Sequence, residues 1–256
     1  MTVHYTEAYI RHPQHRVTVD VIGCGGTGSH ILTGLARINM ALAGLEHPGL
    51  QVMAWDPDEV SEHNIGRQIY SPADIGYNKA LVLISRINRF YGTEWEAVPE
   101  KYVPLHEKRK GNILITCTDT AESRIKVANH NYIISDKNKQ PYDRSYYWLD
   151  IGNKQNVGQV VLGTMLPVKQ PKTTHKTKAS LKNVVKKFPA IKKVNDEDSG
   201  PSCSMAEALN KQDLFINSLL AQLGCNLLWK LIKEGMITHH GCFVNIENFI
   251  VNPIKI

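Results

Sequence analysis

Asn64, Arg67 and Lys79 fall within 16 residues of one another, and together they make a set suited to a chain of phosphates. Arg67 offers a planar fork for phosphate oxygens, Lys79 a point charge and Asn64 an uncharged donor. They follow Asp56-Pro57-Asp58, Gln68 stands beside Arg67, and upstream lies Gly23-Cys24-Gly25-Gly26-Thr27-Gly28. That run satisfies G-x-G-x-x-G, in which Gly23, Gly25, Gly26 and Gly28 let backbone N–H groups and a helix N-terminus receive phosphate. By itself the run suits NAD, FAD or ATP. A nicotinamide site has no need of the neighbouring Asn, Arg and Lys, whereas a triphosphate does, so ATP is the expected nucleotide. Asp56 is the expected acceptor for the ribose hydroxyls, although it lies 28 residues after Gly28, where about 20 is usual. Asp58 joins the same nucleotide-binding set.

A second cluster is Cys117-Thr118-Asp119-Thr120-Ala121-Glu122-Ser123-Arg124. Asp119 stands just past an apolar tetrapeptide, where its carboxylate can hold a magnesium ion that bridges phosphate oxygens. It can equally cap the helix expected from Ala121.

Alternating elements position these residues. Arg16 to Gly23 reads as a β-branched strand, and Thr27 to about Leu45 as a helix with Ile31, Leu32, Leu35, Ile38 and Leu42 on one face. Gln51–Trp55, Glu96–Val98 and Ile113–Thr116 read as further strands, with helices over about 78–90 and 121–133. Strand and helix in alternation predict an α/β fold: a Rossmann-like, mostly parallel sheet covered by helices on both faces. Strand candidates at Tyr146–Ile151 and Gln159–Leu162 follow. Residues 165–202 then form a lysine-rich stretch with four prolines, expected to be a mobile insertion holding at most a short helix around 181–188. A long amphipathic helix over Met205–Lys233 and a hairpin of Cys242–Ile246 with Phe249–Val251 close the chain.

Composition limits the classes available. The 256 residues are 42% hydrophobic, enough for one packed domain and too much for a disordered chain. The most apolar stretch, 215–232, is broken by Asn217, Gln222, Asn226 and Lys230, so no membrane span is expected. The opening twelve residues lack a secretory apolar run, and five scattered cysteines with no C-x-x-C argue for a reducing compartment. A cytoplasmic protein is the expectation. The net charge of +6 is local, since 169–193 holds nine lysines and no acid, which leaves 21 basic residues against 24 acidic ones elsewhere. That stretch suits a solvated loop or a docking surface for an acidic partner. A nucleic-acid patch is not favoured, because Phe188 is its one aromatic residue.

Taken together the glycine loop, D-x-D at 56–58, N-x-x-R-Q at 64–68, D-x-G-x-x-K at 74–79 and C-T-D-x-x-x-x-R at 117–124 resemble the adenylating family that includes ThiF, MoeB and the ubiquitin-activating enzymes. D-I-G-N at 150–153 and S-C-S-M-A-E-A-L at 202–209 are most similar to the ThiF-related branch of the bacterial PRTRC cassette. The resemblance implies a single adenylation domain over 1–256. It would use ATP and Mg2+ to activate the C-terminal glycine of a small ubiquitin-like protein. Carried over, Asp56 holds the ribose, Asn64, Arg67 and Lys79 the phosphates and Asp119 the magnesium, while Gln68 orients Arg67. Cys203, placed before the long helix whose N-terminus favours a thiolate, corresponds to a cysteine that accepts the acyl group as a thioester and passes it to a conjugating protein. Arg67, Lys79 and Cys203 are then the catalytic candidates. A homodimer is implied, with Arg11, Arg16 or neither reaching the neighbouring site. The alternatives are a sulfur-carrier activator for cofactor synthesis and a non-catalytic nucleotide-binding scaffold.

Overall fold

The computed structural model describes residues 1–103, 111–134, 140–193 and 212–256. Its centre is an eight-stranded sheet in the order β11-β10-β7-β6-β5-β2-β3-β4. Strands β2 (Val17–Ile22), β3 (Leu50–Trp55), β4 (Glu96–Val98), β5 (Ile113–Thr116) and β6 (Tyr147–Asn153) pair in parallel. Beyond β6, strands β7 (Val157–Thr164), β10 (His239–Asn245) and β11 (Ile250–Lys255) continue antiparallel. The register sets Val19 against Val52 on one side and Ile113 on the other, so β2 is central and buried on both faces, with Thr18 and Asp20 its polar members. This is the pattern of a strand covered twice.

Both faces are covered, as expected. Helices α2 (Gly26–Ala43), α3 (Lys79–Tyr91) and α6 (Ile216–Glu234) bury Leu35, Ile84 and Leu228 against Val21, Ala54 and Leu149. The opposite face packs Leu114, Trp148 and Val161 beneath Val127 of α4 (Ala121–Ile134) and Val184 and Val185 of α5 (Val184–Lys187). Helix α3 starts where Asn78 Oδ1 accepts the Leu81 N–H at 3.1 Å and ends at Gly92, whose φ of 67° suits a left-handed cap.

Three elements depart from expectation. The helix expected from Met205 is described from Ile216, because Asp213 Oδ1 takes the Phe215 N–H at 2.9 Å and holds a turn there. Cys203 and residues 194–211 lie outside the described residues. A second sheet, β8 (Lys176–Thr177), β1 (Thr2–Tyr5) and β9 (Met236–Ile237), joins the start of the chain, the lysine-rich segment and the end of α6; its two-residue strands are too short to carry a period. The lysine-rich segment therefore holds more than a short helix: β8, α5 and a 3-10 turn at Pro189–Lys193. Among the described residues no helix is long and apolar enough to cross a membrane.

Candidate functional site

Strand order reverses at β2, with β3 and β4 to one side and β5 and β6 to the other. The carboxyl ends of β2 and β5 thus open the crevice in which ligands of such sheets bind. Both motifs sit there. Gly23 has φ of 90°, and a Cβ on it would lie 2.9 Å from the Cys117 carbonyl oxygen. Gly28 is required by packing, since a Cβ there would overlap the Gly23 oxygen at 1.8 Å. The turn brings α2 close against its own strand and leaves its first N–H groups at the crevice.

The chain from β3 to α3 is fixed by its own polar side chains. Asp56 is buried and accepts from the Cys24 N–H at 2.5 Å and the Asp58 N–H at 2.9 Å. Burial pushes its carboxyl up, opposed by those N–H donors and by Lys79. Tyr70 donates its hydroxyl to the Cys24 carbonyl at 2.7 Å, tying the glycine turn to this stretch. Asn64 uses its oxygen to hold the Ser61 N–H at 3.0 Å, which leaves its amide nitrogen as the donor the sequence assigns to it. Lys79, on the first turn of α3, reaches Asp58 Oδ2 at 3.0 Å.

These side chains line one cleft of about 1220 Å³ that contains Asp58, Asn64, Arg67, Gln68, Lys79 and Asp119. The glycines and Asp56 do not line it. They stand behind Gln68, whose Nε2 is 3.9 Å from a Cβ placed on Gly25. A smaller hollow of about 280 Å³ beside α6, β10 and β11 holds none of the candidate nucleotide-site residues.

Arg67 donates Nη1 to Gln212 Oε1 at 2.6 Å, while its buried Nε has no partner. Gln68 Oε1 and Thr118 Oγ1 are likewise buried without partners. Burial lowers the Arg67 pKa and Asp119 opposes that. Orphaned buried donors and acceptors are costly, and a polar ligand in the cleft would relieve them. The donor set fits a nucleotide triphosphate. Asp119 is exposed, and the helix cap is instead Thr120, whose Oγ1 accepts the Ser123 N–H at 3.4 Å. One such carboxylate with phosphate oxygens is a fit for Mg2+. Among the described residues no group of three or more His, Cys, Asp or Glu could hold a metal by itself.

Sequence reasoning missed two supports. Asn217 looked like a polar interruption of an apolar helix; its Oδ1 accepts from Thr27 Oγ1 at 2.9 Å and its Nδ2 lies 3.3 Å from Gln212 Oε1. Arg67 is thereby linked to the start of α2 through α6. The other is a buried pair. Arg124 Nε meets Asp150 Oδ1 at 2.8 Å, Nη1 meets the Thr120 carbonyl at 3.2 Å and Nη2 the Ile151 carbonyl at 3.2 Å. Thr116 Oγ1 donates to the same Asp150 oxygen at 2.6 Å and accepts from Trp148 Nε1 at 2.8 Å. A Cβ on Gly152 would sit 2.8 Å from Arg124 Nη2, which is the physical sense of D-I-G at 150–152. The signal present in the sequence was Arg124 in C-T-D-x-x-x-x-R at 117–124 and Asp150 in D-I-G-N at 150–153.

Cys24, Cys117, Cys225 and Cys242 are free and buried, and burial pushes each thiol up, Cys225 to about 12. Burial thus disfavours the thiolate at each of them. Arg11 lies against Gly235, with Nε 2.1 Å from a Cβ placed there, and Arg16 donates to Gln51 at 3.3 Å.

Residues 14–233 match the model of the ThiF family. No curated protein matches the sequence. Among solved structures, PaaA is similar at 16% identity with a TM-score of 0.59, over 96% of this chain and 65% of PaaA. MccB of E. coli is similar at 16% identity with a TM-score of 0.57, over 93% of this chain and 62% of MccB. Another structure of MccB, with ATP, aligns at 16% identity and a TM-score of 0.56, over 93% of this chain and 63% of that one. The chain spans less than two thirds of the length of these proteins, and the likeness concerns the fold.

Proposed function

The chain belongs to the ThiF family, and from that premise we propose that its cleft binds ATP with magnesium and adenylates the C-terminal glycine of a small ubiquitin-like protein. The observation that carries the reading is the wall of Asn64, Arg67, Gln68 and Lys79, with the buried Arg67 Nε unpartnered. Structures of the similar MccB with ATP, and with AMPCPP and MccA, support it by analogy of fold.

In this reaction a carboxylate oxygen bonds to the α-phosphorus, the bond from that phosphorus to the bridging oxygen breaks, and pyrophosphate leaves. The protein's part is positioning and charge neutralisation. Arg67, oriented by Gln212 and flanked by Gln68, and Lys79, held by Asp58, neutralise phosphate charge; Asn64 donates through its amide. Asp56, buried behind the cleft, keeps the glycine turn in place. Asp119 would hold Mg2+, which when bound offsets charge on the phosphate oxygens.

A second step follows in this reading. The Cys203 thiolate attacks the acyl carbon, AMP leaves, and the thioester passes to a conjugating protein. With the four described cysteines buried, Cys203 is the remaining thiol for that role. The enzyme is read as a cytoplasmic homodimer of the PRTRC-like branch. A sulfur-carrier protein would undergo the same first step and no thioester at Cys203.

ATP–pyrophosphate exchange with a panel of small proteins ending in glycine tests the first step. Exchange with a panel member is expected; ATP binding with no exchange from any member would reduce the protein to a nucleotide-binding scaffold, and absence of ATP binding would overturn the nucleotide site itself. Cys203→Ala is expected to retain exchange and lose a thiol-sensitive adduct on a non-reducing gel. An adduct that persists would remove Cys203 from the reaction.

A further inference from the structure

The lysine-rich segment plays no part in the chemistry above, yet it is built as a surface. Between Lys169 and Lys193 stand nine lysines, no acid and no arginine. The backbone beneath them is anchored: Val168, Leu181, Val184 and Val185 are buried, β8 pairs with β1, and Leu181 and Thr164 exchange N–H···O bonds at 3.0 and 3.1 Å. With the apolar side chains turned in, Lys172, Lys176, Lys178, Lys182 and Lys186 are turned out. No ion pair among the described residues includes any of them.

Like charges crowd there without relief. Burial, then Lys182 and Lys178, push the Lys187 ammonium down. Such a surface is favourable when a counter-charge covers it. The same segment continues into the cleft, where Phe188, Ala190 and Ile191 form part of the wall, with Phe188 stacked edge-on against Phe243 at 5.5 Å between centroids. The segment thus runs from the lysines beside β1 to the wall of the cleft, so a protein-sized partner that follows it reaches the cleft.

We propose that this lysine face is the docking surface for an acidic protein, the one whose C-terminal tail enters the cleft. The proposal rests on the adenylation reading and adds to it the chemistry of the partner. Lysines without arginine supply diffuse point charges, which suit steering of a carboxylate-rich surface. Nucleic acid calls for guanidinium forks and stacking rings, and the segment's one aromatic residue is already packed. The rest of the chain carries 21 basic against 24 acidic residues, so the chain's excess of positive charge lies in this segment.

The test uses the full-length protein and three fluorescein-labelled probes: an acidic peptide ending in Gly-Gly, a neutral peptide of equal length with the same end, and a single-stranded oligonucleotide matched in charge to the acidic peptide. Anisotropy is read at 50 and 200 mM salt. The acidic peptide is expected to bind at least about tenfold tighter than the neutral one at the lower salt, with much of that preference screened at the higher. Lys178→Glu/Lys182→Glu/Lys186→Glu should abolish the preference, while Lys101→Glu/Lys233→Glu/Lys255→Glu, with the same change of net charge, should keep it. Equal binding of the two peptides, or equal loss in both triple variants, overturns the proposal, and tighter binding of the oligonucleotide assigns the face to nucleic acid. Adenylate formation from ATP is scored separately with each peptide. A charge preference without adenylate leaves the face standing and removes the adenylation reading; adenylate without charge preference does the reverse.

Discussion

Two long connections carry cations, and they hold them in opposite ways. In residues 56–79 the polar groups face inward: Asp56, Asn64 and Asn78 spend their oxygens on backbone N–H groups, and Arg67 and Lys79 converge on the cleft. In residues 165–193 Val168, Leu181, Val184 and Val185 face inward and Lys172, Lys176, Lys178, Lys182 and Lys186 outward. Inward cations are desolvated, pre-positioned and shielded from salt, which suits a small multiply charged ligand. Outward ones act over a Debye length of about 10 Å at 0.1 M salt, which suits an encounter with a macromolecule. The direction in which a cation is turned, more than the number of cations, sets what each region binds.

The sharpest way to break the comparison is to cut the inward region from its support. Arg124→Ala would leave the Asp150 carboxylate buried and unpaired, at a cost of about 3–5 kcal/mol. Urea unfolding would measure it, and Arg124→Met combined with Asp150→Leu should recover most of the loss. A cost below about 1 kcal/mol would mean the pair is not the joint between α4 and β6.

Next in size, Arg67→Ala should lower ATP–pyrophosphate exchange about 100-fold with an unchanged urea midpoint, the loss of one preorganised donor to developing charge. Its residual rate and the wild-type rate should respond alike to salt between 50 and 200 mM, in contrast to docking at the lysine face. Near-normal exchange would return Arg67 to an ordinary surface role.

Asp119 and Thr120 separate ligand from cap. Asp119→Ala should raise the magnesium needed for half-maximal exchange about tenfold, since a hard oxygen ligand is lost. Thr120→Ala should cost about 1 kcal/mol of stability with the magnesium curve unmoved. An unmoved curve in Asp119→Ala removes the metal role.

The smallest effect tests how the lysine segment is pinned. His4 is fully buried, and Nδ1 lies 2.7 Å from the Lys178 carbonyl, which can only accept, so Nδ1 carries the proton. Nε2 then accepts from the Tyr147 hydroxyl at 3.0 Å, and that oxygen takes the Glu7 N–H at 2.9 Å. Burial holds the His4 pKa below the usual 6.5, against the carbonyl bond, and burial lowers His240 likewise. As pH falls through 6.5 the unfolded imidazole takes up a proton that the folded one refuses, so stability falls with pH until the folded value is passed. His4→Gln should remove about 1 kcal/mol of that loss between pH 7.5 and 5.5, read as a flatter dependence of the calorimetric Tm. An unchanged slope would show that His4 titrates alike in both states.

Much of the parallel half was legible from residues alone. Helix 121–134, strands 96–98 and 113–116 and the turn at 23–28 follow from local periodicity and glycine placement, where neighbours in sequence are neighbours in space. The cation set at 64–79 was legible for the same reason, as one stretch whose members stay close however the rest folds. The continuous helix expected over 205–233 is interrupted at 212–215, where one Asp213 bond holds a turn that the amphipathic period does not reveal; its expected start at Met205 lies outside the described residues.

The sequence by itself determined the elements and the chemical types at the crevice. Tertiary structure decided which of those types are supported and which way they face. Thr27 meets Asn217 across 190 positions, Arg67 meets Gln212 across 145 and His4 meets Lys178 across 174. No periodicity spans such gaps, because these contacts exist only once the strand order has placed α6 beside α2 and the chain's first strand beside the lysine segment. Burial then selects among the polar groups, since a desolvated donor must find a partner and an exposed one need not.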